Sequence, residues 1–192
     1  MVTPLVVATQ NPGKLSEMQA YLKDSAWELE LMPPELEIAE TGTTFAVNAR
    51  LKASQVAKTT GHWAIADDSV LGVNALGGAP GGYCARYAKT DPERIQRLLQ
   101  ELKGYSDRKA QFICAIAVAR PQGAIALEAE GICPGEILQT PQGEGGFGYD
   151  PVFYVPEAGI TYAQMPPEMK RHLSHRGKAF ELLLPQLQSL QP

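Results

Sequence analysis

Cysteine is scarce in this chain. Three occur in 192 residues, Cys84, Cys114 and Cys133, and no two form a C-x-x-C pair. An odd, scattered set fits free thiols in a reducing compartment better than a disulfide framework. Long apolar runs are also missing. None approaches the ~18 residues that a membrane helix needs. The opening stretch MVTPLVVATQNPGK lacks the basic segment and long apolar core of a signal peptide. A cytoplasmic protein with no membrane partner is therefore expected. Positive charge is not in excess either: 17 Lys and Arg stand against 21 Asp and Glu, a net charge of −4. That argues against a sequence-independent nucleic-acid binder, which needs a basic face. It leaves room for a small anionic ligand met by a local basic cluster. Internal repeats, low-complexity segments and linkers are absent.

What is present is an ordinary globular composition, with 44% hydrophobic and 20% charged residues. A chain of this length buries roughly 70% of the surface its unfolded form exposes, so the core needs no staples. A single domain over residues 1–192 is expected. Pro4 to Ala8 reads as a short buried strand, broken by Asn11-Pro12-Gly13. Leu15, Met18, Tyr21 and Leu22 then recur at helical spacing, and Glu28 to Met32 alternates as a strand. A helix starts near Thr43, with Phe45, Ala49, Lys52, Ala53 and Val56 on one face, and Gly61 closes it. HWAIADDSV, residues 62 to 70, follows as a central strand. Asp91-Pro92-Glu93 reads as an N-cap, a proline at the first helical position and an acid in the first turn. That helix carries Ile95, Leu98, Leu99 and Leu102 and ends at Gly104. Ala110 to Ala119 and Ala124 to Glu130 read as an antiparallel pair around Pro121-Gln122-Gly123. A glycine-rich loop, Gly143 to Gly148, leads into a strand from Pro151 to Val155. The last helix is predicted from about Pro167 to Leu184. Interspersed strands and helices predict an α/β fold with a mixed β-sheet and flanking helices. The N-terminal part and the 110–155 strands would form two lobes with a central substrate cleft between them.

The chemistry-bearing motifs are individually weak. Asp67 and Asp68 end an apolar run. Neighbours on a strand point to opposite faces, so the two acids should not share one job. One is expected to face solvent or a backbone partner, and the other a site. Thr9 to Lys14 joins a strand to a helix and ends in Gly-Lys, which suggests phosphate at a helix N-terminus. It is not a Walker A loop, since no glycine precedes it and Leu15 follows the lysine. Taken alone it reads as a turn with a solvated lysine. Gly143, Gly145 and Gly148 match G-x-G-x-x-G, but a proline-bounded strand follows instead of a helix, so no dinucleotide site is read there. Phe147 in that loop either meets a ligand or plugs the core. Ser174-His175-Arg176, with Lys170 a turn earlier, is either an anion-facing cluster or a solvated helix face. Cys84 has no identifiable base nearby and reads as a structural thiol. Together these are acids for a metal, scattered cations, glycine-rich loops and an aromatic. Nucleoside triphosphate chemistry uses that inventory, because the anionic ligand needs Mg²⁺ and lysines.

The motifs also occur in a family's order: Thr9-Gln-Asn-Pro-Gly-Lys14, Glu40-Thr-Gly-Thr-Thr-Phe45, Asn48-Ala-Arg-Leu-Lys52-Ala53, Ala66-Asp-Asp-Ser69, Gly77-Gly-Ala-Pro-Gly81, Ala85-Arg-Tyr87, Gly146-Phe-Gly-Tyr-Asp-Pro151 and Ser174-His-Arg176. Over about residues 4 to 188 this resembles the inosine triphosphate pyrophosphatase family, the XTP/dITP diphosphatases. The resemblance implies a two-lobed α/β homodimer that hydrolyses ITP, dITP and XTP to monophosphate and pyrophosphate with Mg²⁺. It implies that Thr9, Gln10, Asn11, Pro12, Gly13 and Lys14 bind substrate, with Thr9, Asn11 and Lys14 on the triphosphate. Lys52 would be a further phosphate contact. Asp68 would be the essential acid, binding Mg²⁺ with Glu40 and accepting the proton of the attacking water. Ser69 would contact substrate. Phe147, Gly148, Tyr149, Asp150, Lys170, His175 and Arg176 match the nucleoside-binding positions. Asp67 is left as a structural acid. Three positions depart from the family pattern: Val70 where glycine is usual, Cys84 for serine, and Ala39 where a second acid often precedes Glu40. Val70 is expected to stiffen or shift the loop after the acids. Two rivals stand beside this reading: a pyrophosphatase for another modified nucleotide, such as a methylated pyrimidine triphosphate, and a non-catalytic nucleotide-binding module.

Overall fold

Thr3–Val7 (β1) is a short apolar strand, and every strand that meets it runs the same way. It pairs in parallel with Trp27–Leu31 (β2) on one side and with Trp63–Val73 (β3) on the other. The computed structural model describes residues 3–23 and 25–190. In chain order the remaining elements are Pro12–Leu22 (α1), Phe45–Thr60 (α2), Pro80–Gly81 (β4), Asp91–Glu101 (α3), Lys109–Ala119 (β5), Ile125–Ile137 (β6), Phe153–Val155 (β7), Ile160–Thr161 (β8), Pro167–Leu173 (α4) and His175–Ser189 (α5). Hydrogen bonds order the strands β2-β1-β3-β5-β6-β7-β8, with β4 on β3. The pairs β3–β4, β6–β7 and β7–β8 are antiparallel. The fold is α/β with a mixed sheet, the class expected from sequence. No helix among the described residues is long and apolar enough to cross a membrane.

Local chemistry sets the helix ends. Asn11 caps α1, its Oδ1 accepting from the backbone N–H of Gly13 at 2.9 Å and of Lys14 at 3.2 Å. Pro12 fits the first turn, where no intrahelical partner awaits its missing N–H. Thr44 caps α2, and Gly61 ends it at φ 71°, a left-handed conformation that glycine adopts without a Cβ clash. Three expectations need correction. Thr90, not Asp91, caps α3, because a full capping box with Glu93 forms there. The strand predicted from Pro151 shortens to β7, since residues 149–152 form a turn in which Val152 N–H donates to Tyr149 O. The last helix breaks in two at Ser174, whose backbone is extended at φ −72° and ψ 157°. The next N–H, on His175, donates to the Tyr162 hydroxyl at 3.3 Å instead of to a carbonyl one turn back.

The chain divides into two compact units. The first comprises the described residues of 1–68, 114–131 and 176–192. It has one apolar cluster around Leu5, Val7, Met18, Ile65, Ile116 and Phe180, which joins α1 and α5 to the sheet. A second gathers Val6, Ala49, Ala53, Val56, Ala64 and Ala117, which seats α2. The alternation of Leu5, Val6 and Val7 between the clusters is the strand period at work, with both faces of the sheet covered. The second unit comprises residues 69–113 and 132–175. Its core is aromatic and aliphatic, with Tyr87, Leu98, Phe112, Tyr149, Phe153 and Tyr162 among its members.

Candidate functional site

In the first unit, Asp67 meets two cations, Arg176 and Lys14, and Arg176 in turn meets Glu17. Asp67 lies on β3 and is 1% exposed. Arg176, at the start of α5 and 2% exposed, donates to its Oδ2 from Nε at 3.2 Å and from Nη2 at 2.9 Å. Lys14 places Nζ 3.2 Å from the same oxygen. Arg176 Nη1 also donates to Glu17 on α1. Lys14 and Glu17 stand three apart on α1, hence on one face. Burial alone would raise the Asp67 carboxyl, but Lys14 and Arg176, with Lys52, hold it well below the ordinary carboxylate range. Burial likewise opposes the Arg176 charge, but Asp67, Cys114 and Glu17 together outweigh it, keeping the guanidinium above its ordinary value. The structural role expected of Asp67 takes the form of ion pairs with Arg176 and Lys14, because a buried carboxylate without ionic partners would be very costly.

Asp68, the next residue, joins a different group. Lys52 on α2 directs Nζ to Asp68 Oδ1 at 3.3 Å and to Glu40 Oε1 at 3.1 Å. The two carboxylates thus converge on one ammonium. Burial opposes the charge on Lys52, but Asp68, Asp67 and Glu40 together hold its pKa above the ordinary lysine value. Asp68 shifts upward too. Burial is the main cause; Lys52 and Lys14 pull the other way, and Glu40 and Asp67 add to the rise. An ion pair with Lys52 alone should lower Asp68, so the net rise reflects burial and crowding by two further carboxylates. Asp68 is therefore an acid whose ionised form would gain from a further cation.

That donor set fits Mg²⁺. The ion takes hard oxygen ligands and is commonly held by one or two carboxylates, with phosphate and water completing the shell. Asp68 and Glu40 supply two such groups within reach of one cation. Among the described residues no cluster of three or more His, Cys, Asp or Glu could enclose a metal. Any metal here would draw its remaining ligands from substrate and water.

The Thr9 to Lys14 segment shapes itself. Thr9 Oγ1 accepts from Asn11 N–H at 3.1 Å, and Asn11 caps the helix. Gln10 and Pro12 are exposed, and Gly13 and Lys14 are half-buried. Lys14 is the one charged residue of the segment.

In the second unit, the buried Asp150 carboxylate accepts from the Phe147 backbone N–H at 3.0 Å and from Lys170 Nζ at 2.6 Å. Lys170 also stands over aromatic faces, 5.0 Å from the Phe147 ring centroid and 5.5 Å from that of Tyr162. Gly146, at φ 73°, must lack a side chain, since a Cβ there would lie 1.9 Å from Asp150 Oδ2. His175 stacks on Phe112 at 4.7 Å, and its Nδ1 lies 3.5 Å from the Tyr162 hydroxyl. Tyr149 donates its hydroxyl to the Cys84 carbonyl at 3.0 Å, and burial raises its pKa. Ser69 is half-buried at the start of this unit.

The structure thus brings together Lys14 with Arg176, and Lys52 with Asp68 and Glu40. It brings Phe147, Asp150 and Lys170 together separately. The Arg176 guanidinium is held by Asp67 and Glu17 within the first unit. The three departures are accommodated. Val70 lies within β3, which runs on to Val73, so no loop exists there to be stiffened. The Cys84 thiol does a hydroxyl's work, accepting from Leu71 N–H at 3.0 Å and donating to the Gly81 carbonyl at 2.7 Å. With Ala39 in place of an acid, Glu40 alone of that pair carries a carboxylate to Lys52. Two residues escaped sequence reasoning. Glu17 could have been found from its place one turn after Lys14. Asp91 was assigned to a cap that Thr90 fills.

The fold and this arrangement of motifs belong to one family. The Ham1 family model matches residues 5–186, and the chain belongs to that family. A relative from Nostoc sp. named dITP/XTP pyrophosphatase is 64% identical over 190 residues, covering 99% of this chain and 97% of the relative. A protein of the same name from Synechocystis sp. is 58% identical, covering 95% of this chain and 94% of the relative. Among solved structures, a HAM1 protein from Coxiella burnetii is 43% identical with a TM-score of 0.87, covering 97% of this chain and 99% of the other.

Proposed function

We propose that the protein hydrolyses deaminated purine nucleoside triphosphates (dITP, XTP and ITP) to the monophosphate and pyrophosphate, with Mg²⁺. The observation that carries this reading is the convergence of Asp68 and Glu40 on the Lys52 ammonium at 3.3 and 3.1 Å. The names of the close relatives support the substrate class. Asp68 and Glu40 would hold Mg²⁺, which when bound polarises phosphoryl oxygens and offsets the charge of the polyphosphate. Lys14 and Lys52 add positive charge along the phosphates, and the α1 N-terminus orients backbone N–H groups near the same loop. Thr9, Gln10, Asn11, Pro12 and Gly13 form that loop, and Ser69 contacts substrate. Water attacks phosphorus: its oxygen bonds to phosphorus, the α–β anhydride bond breaks, and the water proton passes to an Asp68 carboxylate oxygen. Asp67 takes no proton. It holds Lys14 in place, while Lys14, Arg176 and Lys52 keep Asp67 charged and Glu17 anchors the Arg176 guanidinium.

The group Phe147, Gly148, Tyr149, Asp150, Lys170 and His175 would take the nucleoside. Phe147 offers a stacking face, which every base can use. The Lys170 ammonium donates, and suits the C6 oxygen of hypoxanthine or xanthine. Adenine turns an amino donor to the same place and leaves a buried donor unpaired, which costs roughly 1–3 kcal/mol for each mismatch. We take the enzyme to act in the cytoplasm as a homodimer without a nucleic-acid partner, consistent with its net charge of −4.

The test is kcat/KM for dITP, XTP, ITP, GTP and ATP, with Mg²⁺ and with chelator, and identification of the released phosphate species. Selectivity for dITP over ATP of about 10 to 10² from that mismatch, with pyrophosphate as product, is expected. Equal use of ATP, release of orthophosphate, or full turnover in chelator would overturn the reading.

A further inference from the structure

Asp91 begins α3 but has no capping duty. The Thr90 hydroxyl accepts from Glu93 N–H at 3.4 Å, and the Glu93 carboxylate accepts from Thr90 N–H at 3.0 Å. With the cap complete, both Asp91 oxygens turn elsewhere. Oδ1 meets Arg94 Nη1 at 2.6 Å, and Arg94 Nε is in turn fixed to the Ala88 carbonyl at 3.1 Å. Oδ2 accepts the backbone N–H of Gly148 at 2.7 Å, across 57 residues of sequence. The preceding N–H, on Phe147, belongs to Asp150. Two consecutive peptide N–H groups are therefore each held by a carboxylate from a different part of the chain. Bonds to charged acceptors are short and strong, and these two fix the successive peptide planes on either side of Phe147, Asp150 the one before it and Asp91 the one after. Together the two planes set where the half-buried Phe147 ring points. Gly148 itself sits at φ 62° and, as glycine, would otherwise turn freely.

We propose that Asp91 is a positioning residue for nucleobase recognition: it pins Gly148 and so pre-orients the Phe147 ring for a purine to stack on. This rests on the reading that the Phe147 to Asp150 segment takes the nucleoside. Asp91 touches neither the base nor the phosphates. Its loss leaves Asp150 in place but lets the loop turn about Gly148, and each binding event must then order it again. The effect falls on substrate binding and leaves the hydrolytic step intact.

The experiment measures kcat, KM for dITP and melting temperature for wild type and for Asp91→Ala, Asp91→Asn, Thr90→Ala and Phe147→Ala. Asp91→Ala is expected to raise KM roughly tenfold, the worth of one hydrogen bond to a charged group, with kcat within about twofold. Asp91→Asn keeps a carbonyl acceptor for Gly148 and should recover most of the lost KM. Thr90→Ala weakens the same helix start without touching Gly148, so it lowers the melting temperature and leaves KM alone. If Phe147→Ala raises KM and Asp91→Ala does not, the proposal fails while the base site stands. If neither raises KM, the base site itself is wrong. Equal KM increases in Asp91→Ala and Thr90→Ala, or no recovery in Asp91→Asn, would make Asp91 a helix-stability residue and overturn the proposal.

Discussion

Asp67 and Tyr162 are both polar, both about 1% exposed, and kept buried by different means. Asp67, in the first unit, is ionised and ringed by Lys14 and Arg176. Tyr162, in the second, is neutral. Burial pushes its hydroxyl pKa well up, and that hydroxyl accepts the His175 backbone N–H. The contrast extends to their surroundings. The buried polar residues of the first unit are Lys52, Asp67 and Arg176, all charged. Those of the second are Thr161, Ser174 and His175, with Asp150 the one acid, set among stacked rings. Charge compensation suits a site for a polyanion and a metal. Neutral aromatic packing suits a flat base, whose edge Lys170 would read under the proposed function. A buried ion that loses its partner costs several times more than a neutral hydrogen bond that is lost, so the two units should break differently.

The sharpest break is chemical. Asp68→Asn should lower kcat by about 10² to 10⁴, the worth of a general base, while the melting temperature stays near wild type. Lys52 retains Glu40 in that variant, and a crowded carboxylate is relieved. Steady-state kinetics beside a thermal melt decide it, and near-wild-type kcat would remove Asp68 from the mechanism.

Next comes stability. Asp67→Asn leaves Arg176 and Lys14 without their shared carboxylate and should cost about 3–5 kcal/mol, as for breaking a buried ion pair from one side. Tyr162→Phe removes a neutral hydroxyl that accepts the His175 N–H and lies 3.5 Å from its Nδ1, and should cost about 1–2 kcal/mol. Denaturant titration of both variants gives the ratio. Equal losses would erase the distinction between the units.

The smallest effect is in pH dependence, where the units should fail at opposite ends. The folded pKa of Asp67 lies below its unfolded value of 3.8. Its contribution is present above about pH 4 and is lost as pH falls below that. The Tyr87 phenol, which donates to Glu101, is pushed up from 10.0 to about 12, chiefly by burial and then by that hydrogen bond. Its neutral form is favoured in the fold, so its contribution is full below pH 10 and is lost between pH 10 and 12. Denaturation midpoints followed across pH should lose part of the acid slope in Asp67→Asn and part of the alkaline slope in Tyr87→Phe. Both variants flattening the same limb would contradict the assignment.

Sequence alone determined the features that depend on neighbours within a turn or two. Asn11-Pro12-Gly13 starts α1 and Gly61 ends α2, because capping oxygens and left-handed glycines act on N–H and C=O groups a few residues away. The strand period separated Asp67 from Asp68, and the ordered motifs pointed to the family. Tertiary structure alone decided who meets whom. Arg176 reaches Asp67 across 109 residues and Glu17 across 159, and Asp91 finds Gly148 across 57. Spacing along a chain does not say which acid will face which cation once both are buried. Nor could a helical pattern from Pro167 onward reveal the break at Ser174, where the hydroxyl of Tyr162 takes the N–H that would have continued the helix.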